Sequence, residues 1–99
     1  ADSWQCVASM PRGLRCHAAA AMGGKIYVTG GIDLAQEGDS SSVCVYDPHA
    51  DAWTQLASMG NVRRAHASAA VEGKLYVVGG IGANGFLGSV EGYDPASDS

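Results

Sequence analysis

Residues 4–32 return as residues 53–81, and this internal repeat limits the possible folds more than any other feature. W-Q-C-V-A-S-M…R-C-H-A-A-A-A-M-G-G-K-I-Y-V-T-G-G-I aligns with W-T-Q-L-A-S-M…R-A-H-A-S-A-A-V-E-G-K-L-Y-V-V-G-G-I. The pairs Trp4/Trp53, Met10/Met59, Arg15/Arg64, His17/His66, Tyr27/Tyr76, Gly30/Gly79 and Gly31/Gly80 keep one offset, 49 residues. Y-D-P then occurs at 46–48 and 93–95, an offset of 47, so the connection after the double glycine is two residues shorter in the second copy. A period near fifty is the mark of a repeat architecture. One such unit cannot bury its own faces, so two copies alone are not expected to make a closed protein.

The composition supports a folded chain. Of its 99 residues, 46% are hydrophobic and 16% charged, which is a globular balance. Fourteen glycines imply many turns or close backbone approaches. A net charge of −4 argues against nucleic acid as a partner. The three cysteines, Cys6, Cys16 and Cys44, correspond to Gln55, Ala65 and Glu91 in the other copy and form no C-x-x-C pair. They read as thiols in a reducing compartment, the cytoplasm. No apolar run approaches the ~20 residues of a membrane helix, and no signal peptide is visible. A start at Ala1 without methionine suggests a processed product or a cut fragment.

Glycine pairs and D-P steps punctuate the chain, and no segment keeps a helical stripe. Short apolar or alternating runs between them predict strands at 4–9, 17–22, 25–30 and 42–47, then again at 53–58, 66–71, 74–79 and 89–94. H-A-A-A-A-M has helical propensity, but six residues between turns are too few to nucleate a helix. Its small side chains suit a strand crowded by neighbours. Four short antiparallel strands per copy define an all-β fold, a sandwich or propeller blades.

The small-residue strand, G-K-[IL]-Y-V-x-G-G-I, V-x-x-Y-D-P and W-x-x-[LV]-x-x-M together resemble the kelch repeat, the four-stranded antiparallel blade of kelch β-propellers. The resemblance covers nearly the whole chain. The family usually carries an arginine four residues after the methionine; Arg63 fits that slot, whereas the first copy has Leu14 there, with Arg15 one place later. In this reading Gly30, Gly31, Gly79 and Gly80 close the second strand of each blade. Trp4, Trp53, Tyr46 and Tyr93 fill the gaps between blades.

With strands named a to d from His17, alternating direction puts the b–c and d–a loops on one face. All four arginines, Arg12, Arg15, Arg63 and Arg64, fall in d–a loops, while Lys25 and Lys74 lie in a–b turns on the other face. Guanidinium groups suit carboxylates, so a protein partner, with an acidic peptide as one candidate, is expected on the arginine face. The alternative is a structural arginine, tied to backbone carbonyls or to Asp33, Glu37 and Asp39 in the b–c loops. The b–c loops differ between copies and add Asn84, Phe86 and Leu87 as candidate contacts. The resemblance implies a non-enzymatic recognition module, as in the substrate receptors of cullin-based ubiquitin ligases.

No cofactor or metal site is expected. His17 and His66 are repeat-equivalent and read as framework, and Cys16-His17 lacks a second pair at zinc spacing. Some propellers of this kind are enzymes, but all four tyrosines lie inside strands b and c. The expected organisation is residues 1–10 as a strand d completing a neighbouring blade, 11–59 as repeat one, and 60–99 as repeat two lacking its own strand d. Head A-D-S-W and tail D-P-A-S-D-S overlay into the same Pro-to-Trp spacing as D-P-H-A-D-A-W. A strand-exchanged homotrimer of six blades is one expectation. A tetramer of eight blades and a fragment needing the rest of its parent are the others.

Overall fold

The computed structural model describes residues 4–11 and 13–99, and all regular structure there is β. The first copy contains β1 (Leu14–Arg15), β2 (Ala18–Met22), β3 (Lys25–Thr29), β4 (Ile32–Asp33), β5 (Gly38–Asp39), β6 (Val43–Asp47) and β7 (Ala52–Gln55). The second contains β8 (Ala67–Val71), β9 (Lys74–Val78), β10 (Ile81–Gly82), β11 (Gly85–Phe86) and β12 (Val90–Tyr93). Strands β2-β3-β6-β7 form a four-stranded antiparallel sheet, the first blade, and β8-β9-β12 the first three strands of a second. Seven of the eight long strands read from the sequence are present. The exception is the strand expected over residues 4–9, which are not in a strand; Trp4 is 101% exposed.

The core lies between the blades. Tyr27, Val43 and Val45 of the first sheet pack on Leu75 of the second, with Ala20, Met22, Leu56, Met59 and Tyr93 around them. Each fully buried apolar side chain contributes about 1.5–3 kcal/mol. Neither sheet could gain this alone, which is the physical meaning of the repeat. The alanine strands β2 and β8 lie beside each other, so the small residues of H-A-A-A-A-M and H-A-S-A-A-V serve close approach.

The double glycine has a measurable cause. Gly30 (φ +59°) and Gly31 (φ +93°) are left-handed. A Cβ on Gly30 would stand 2.4 Å from the Arg63 carbonyl oxygen and 2.7 Å from His66 Cε1. The change of offset from 49 to 47 is equally local. Four residues, 34–37, turn between β4 and β5, whereas two, Ala83 and Asn84, turn between β10 and β11.

Candidate functional site

The b–c and d–a loops are stitched into one platform. In the first copy β1 pairs with β4, and Leu34 N–H donates to the Gly13 carbonyl at 2.9 Å. In the second, Arg64 and Ile81 exchange both backbone bonds, at 3.0 and 2.9 Å. Ala65 N–H donates to the Cys16 carbonyl at 2.7 Å and joins the two copies. These bonds tie down loops that would otherwise be mobile connections.

The arginines divide. Arg63 is fully buried, contrary to the expectation that it meets a partner. Its Nη1 donates to the carbonyls of Gly79 (2.9 Å) and Ser89 (3.0 Å), and its Nη2 to Ser89 Oγ (2.7 Å) and Glu91 Oε2 (3.0 Å). Its Nε also donates to Glu91 Oε2, at 3.2 Å. With its donors spent inside, it is a pin within the second repeat. Burial pulls the Glu91 carboxyl upward, but the Gly60 N–H at 2.6 Å and Arg63 hold it below the ordinary carboxylate value. Arg64 pairs through Nε with Asp39 Oδ1 at 3.1 Å, each partly exposed. Arg15 is exposed on β1. Arg12 lies outside the described residues.

The acidic candidates divide too. Asp33 is buried, and its Oδ1 accepts from the N–H groups of Ala35 (2.9 Å) and Gln36 (3.4 Å), shaping the b–c turn. Glu37 and Asn84 are exposed at turn positions. Phe86 is 91% exposed, while Leu87 is half-buried and leans over Gly82, where a Cβ would meet it at 3.0 Å. Two features escaped the sequence reading. Leu34, 55% exposed, adds an apolar group to the first b–c loop. A polar hollow of about 230 Å³ opens between Asp33, Gln36, Asp39, Ser41, Gln55 and Ser58. The run S-S-S at 40–42 was its only trace in the sequence.

His66, Tyr46, Tyr93 and Trp53 support the frame. His66 is buried, with Nε2 and Thr29 Oγ1 sharing a hydrogen bond at 2.7 Å across the blades. Burial, then the nearby Arg63 and His17, push its pKa down. The Tyr46 hydroxyl donates to Asp51 Oδ1 at 2.6 Å, and Tyr93 to Asp98 Oδ1 at 2.7 Å. The Trp53 ring lies 5.2 Å from Tyr46 and its Nε1 donates to the Ala8 carbonyl at 2.9 Å. Trp4 fills no gap within its own chain.

Among the described residues this face presents to solvent the Phe86 ring, the Leu34 side chain, Arg15, the partly exposed Arg64 and turn residues. That is the chemistry of contact. The family model for the kelch motif matches residues 13–60 and 63–99, two consecutive repeats. The chain therefore belongs to the kelch-repeat family, whose blades build β-propellers that mediate protein–protein interaction and are in general non-catalytic. No curated protein matches it. Among the described residues no helix is long and apolar enough to cross a membrane.

Proposed function

We propose that the chain is a non-enzymatic interaction module that docks a protein partner on its stitched loop face. The observation that carries this reading is Phe86, 91% exposed on β11 in a b–c loop held by a two-residue turn. Leu34 offers a second apolar contact from the other b–c loop. Burying a ring costs little entropy when its backbone is already fixed, and aromatic residues are enriched at interfaces. The four-arginine receptor for an acidic peptide reduces, among the described residues, to Arg15 and the Asp39-paired Arg64. The partner is thus an apolar segment with a carboxylate reaching Arg15. The polar hollow beside Asp39 takes hydrogen-bonding groups of the same segment.

Family resemblance supports the finer reading of a substrate-recognition arm of a cullin-based ubiquitin ligase in the cytoplasm. The three cysteines, none in a disulfide, fit a reducing compartment. A peptide library displayed against the full chain tests the binding face. Selected peptides should lose at least about tenfold in affinity on Phe86→Ser, the scale of one interface anchor. Equal affinity for Phe86→Ser, Leu34→Ser and Arg15→Glu variants would overturn the reading.

A further inference from the structure

The chain has two asparagines, Asn61 and Asn84, and both are exposed. Their following residues set them apart. An asparagine side chain can be attacked by the peptide nitrogen of the next residue, closing a succinimide ring, and the attack depends on how open that nitrogen is. After Asn61 comes Val62, whose half-buried, β-branched side chain crowds its own nitrogen. The backbone there is also tied to the Glu91 carboxylate, through the N–H groups of Gly60 and Asn61. After Asn84 comes Gly85, which has no side chain. A Cβ built on Gly85 would meet nothing within 4 Å, so the space beside its nitrogen is open. Among the described residues the Asn84 side chain makes no hydrogen bond that would hold its amide away.

The turn that carries Asn84 adds a second observation. Strands β10 and β11 pair at two positions, Ile81 with Phe86 and Gly82 with Gly85, and Ala83 and Asn84 are the whole connection. So short a two-stranded hairpin gains little from its own pairing. Segments of this kind open locally at low free-energy cost. Opening supplies the rotation that brings Asn84 Cγ to the Gly85 nitrogen. It stays confined to the tip, because Leu87 N–H donates to the Gly80 carbonyl at 2.8 Å and Ile81 exchanges both backbone bonds with Arg64. The closed turn presents Phe86, and its brief opening exposes Asn84 to attack.

We propose that Asn84 is a self-modifying site whose conversion switches off the docking face led by Phe86; the switch rests on the function proposed above. The Gly85 nitrogen gives up its proton and bonds to Asn84 Cγ. The Cγ–Nδ2 bond breaks, and ammonia leaves with that proton. Water then opens the succinimide. Cleavage between Cγ and the Gly85 nitrogen leaves an aspartate. Cleavage between the Asn84 main-chain carbonyl carbon and that nitrogen leaves an isoaspartate, whose backbone runs through Cγ. One water enters, one ammonia leaves, and nothing is oxidised or reduced. Both products place a negative charge two residues from Phe86. Isoaspartate also lengthens the two-residue turn by one backbone atom, so Gly82 no longer faces Gly85 and Phe86 is displaced from its place opposite Ile81. A partner that brings a carboxylate and an apolar group is repelled by the first change and loses its anchor in the second.

The test is prolonged incubation of the full chain in mildly alkaline buffer, then peptide mass mapping with isoaspartyl methyltransferase labelling. A sample unfolded in guanidinium and the Asn84→Gln variant are incubated alongside. Residue 84 should convert in the folded chain while Asn61 stays intact. An Asn84 that persists in the folded chain but converts in the unfolded sample would overturn the site. The converted chain, separated by anion exchange, should bind a peptide selected on fresh protein at least about tenfold more weakly. Asn84→Asp should reproduce the charge part of that loss, and incubated Asn84→Gln should keep its affinity. Conversion with affinity unchanged, in a chain whose Phe86→Ser variant binds weakly, would overturn the switch and leave the docking face standing. Undiminished binding by Phe86→Ser would remove the docking reading and the switch together, and the mass map alone would then decide the modification site.

Discussion

Arg63 and Glu91 meet within the second repeat, Nη2 to Oε2 at 3.0 Å, and the equivalent pair in the first copy is Leu14 and Cys44. The two copies thus solve one packing problem differently. The second uses an ion pair whose arginine also satisfies the carbonyls of Gly79 and Ser89. The first uses two apolar side chains against Val28, Ser42 and Trp53. A charged pair inside a protein holds its place only when its hydrogen bonds are complete, and here they are.

Truncating one member should be costly. Arg63→Met removes the donor to Glu91 Oε2 and to the Gly79 carbonyl, while Glu91 Oε1 keeps the Gly60 N–H and the Ser89 carbonyl keeps the Gly79 N–H, and it should lower unfolding free energy by about 3 kcal/mol in urea titrations at fixed protein concentration. Grafting the first copy's solution, Arg63→Leu with Glu91→Cys, should recover at least about 1 kcal/mol relative to the sum of the single changes. Additive losses would contradict the equivalence of the two pairs.

Two glycines with the same φ, +59°, separate strain from crowding. Gly23, in the β2–β3 turn, has nothing within 4 Å of an added Cβ, whereas Gly30 has the Arg63 carbonyl at 2.4 Å. Gly23→Ala should cost about 1 kcal/mol, the left-handed penalty alone. Gly30→Ala should cost roughly 3 kcal/mol or more, because backbone must move as well. Thermal or urea unfolding of the two variants gives the comparison directly.

Stability should fall in two acid steps. The His66 pKa is lowered in the fold, chiefly by burial, so the unfolded chain binds its proton more readily. That contribution is complete above the unfolded value of about 6.5 and declines as pH falls below it. Asp51 and Asp98 are lowered chiefly by the tyrosine hydroxyls that donate to them, and Glu91 also lies below its ordinary value. Their contribution is complete above about pH 4.5 and is lost on further acidification. His66→Gln should flatten only the first step in denaturation midpoints measured from pH 8 to pH 3.

The blades were legible because their determinants are local and repeated. G-K-I-Y-V-T-G-G and V-C-V-Y-D-P each carry a turn, an alternation and a stop within ten residues, and β3 and β6 follow them closely. Repeat equivalence is a weaker guide for single side chains, since His66 is buried and bonded to Thr29 whereas its counterpart His17 is exposed. The bracing role of Arg63 left no local trace, because its partners Gly79, Ser89 and Glu91 lie 16, 26 and 28 residues away, in or beside strands whose mutual position no spacing reveals. The strand expected over residues 4–9 was not found because a strand needs a neighbour, and its sequence carries the pattern without the edge to pair with. The short strands β1, β4, β5, β10 and β11 left no periodic trace at two residues each.

The central claim is that the stitched loop face, led by Phe86, is the surface that meets a partner. Fluorescence anisotropy of a peptide selected on the wild-type chain, titrated with wild type and Phe86→Ser, tests it most directly. The expected result is a loss of at least about tenfold in affinity, with the urea midpoint unchanged because Phe86 is exposed. Undiminished binding to Phe86→Ser, Leu34→Ser and Arg15→Glu would contradict the account.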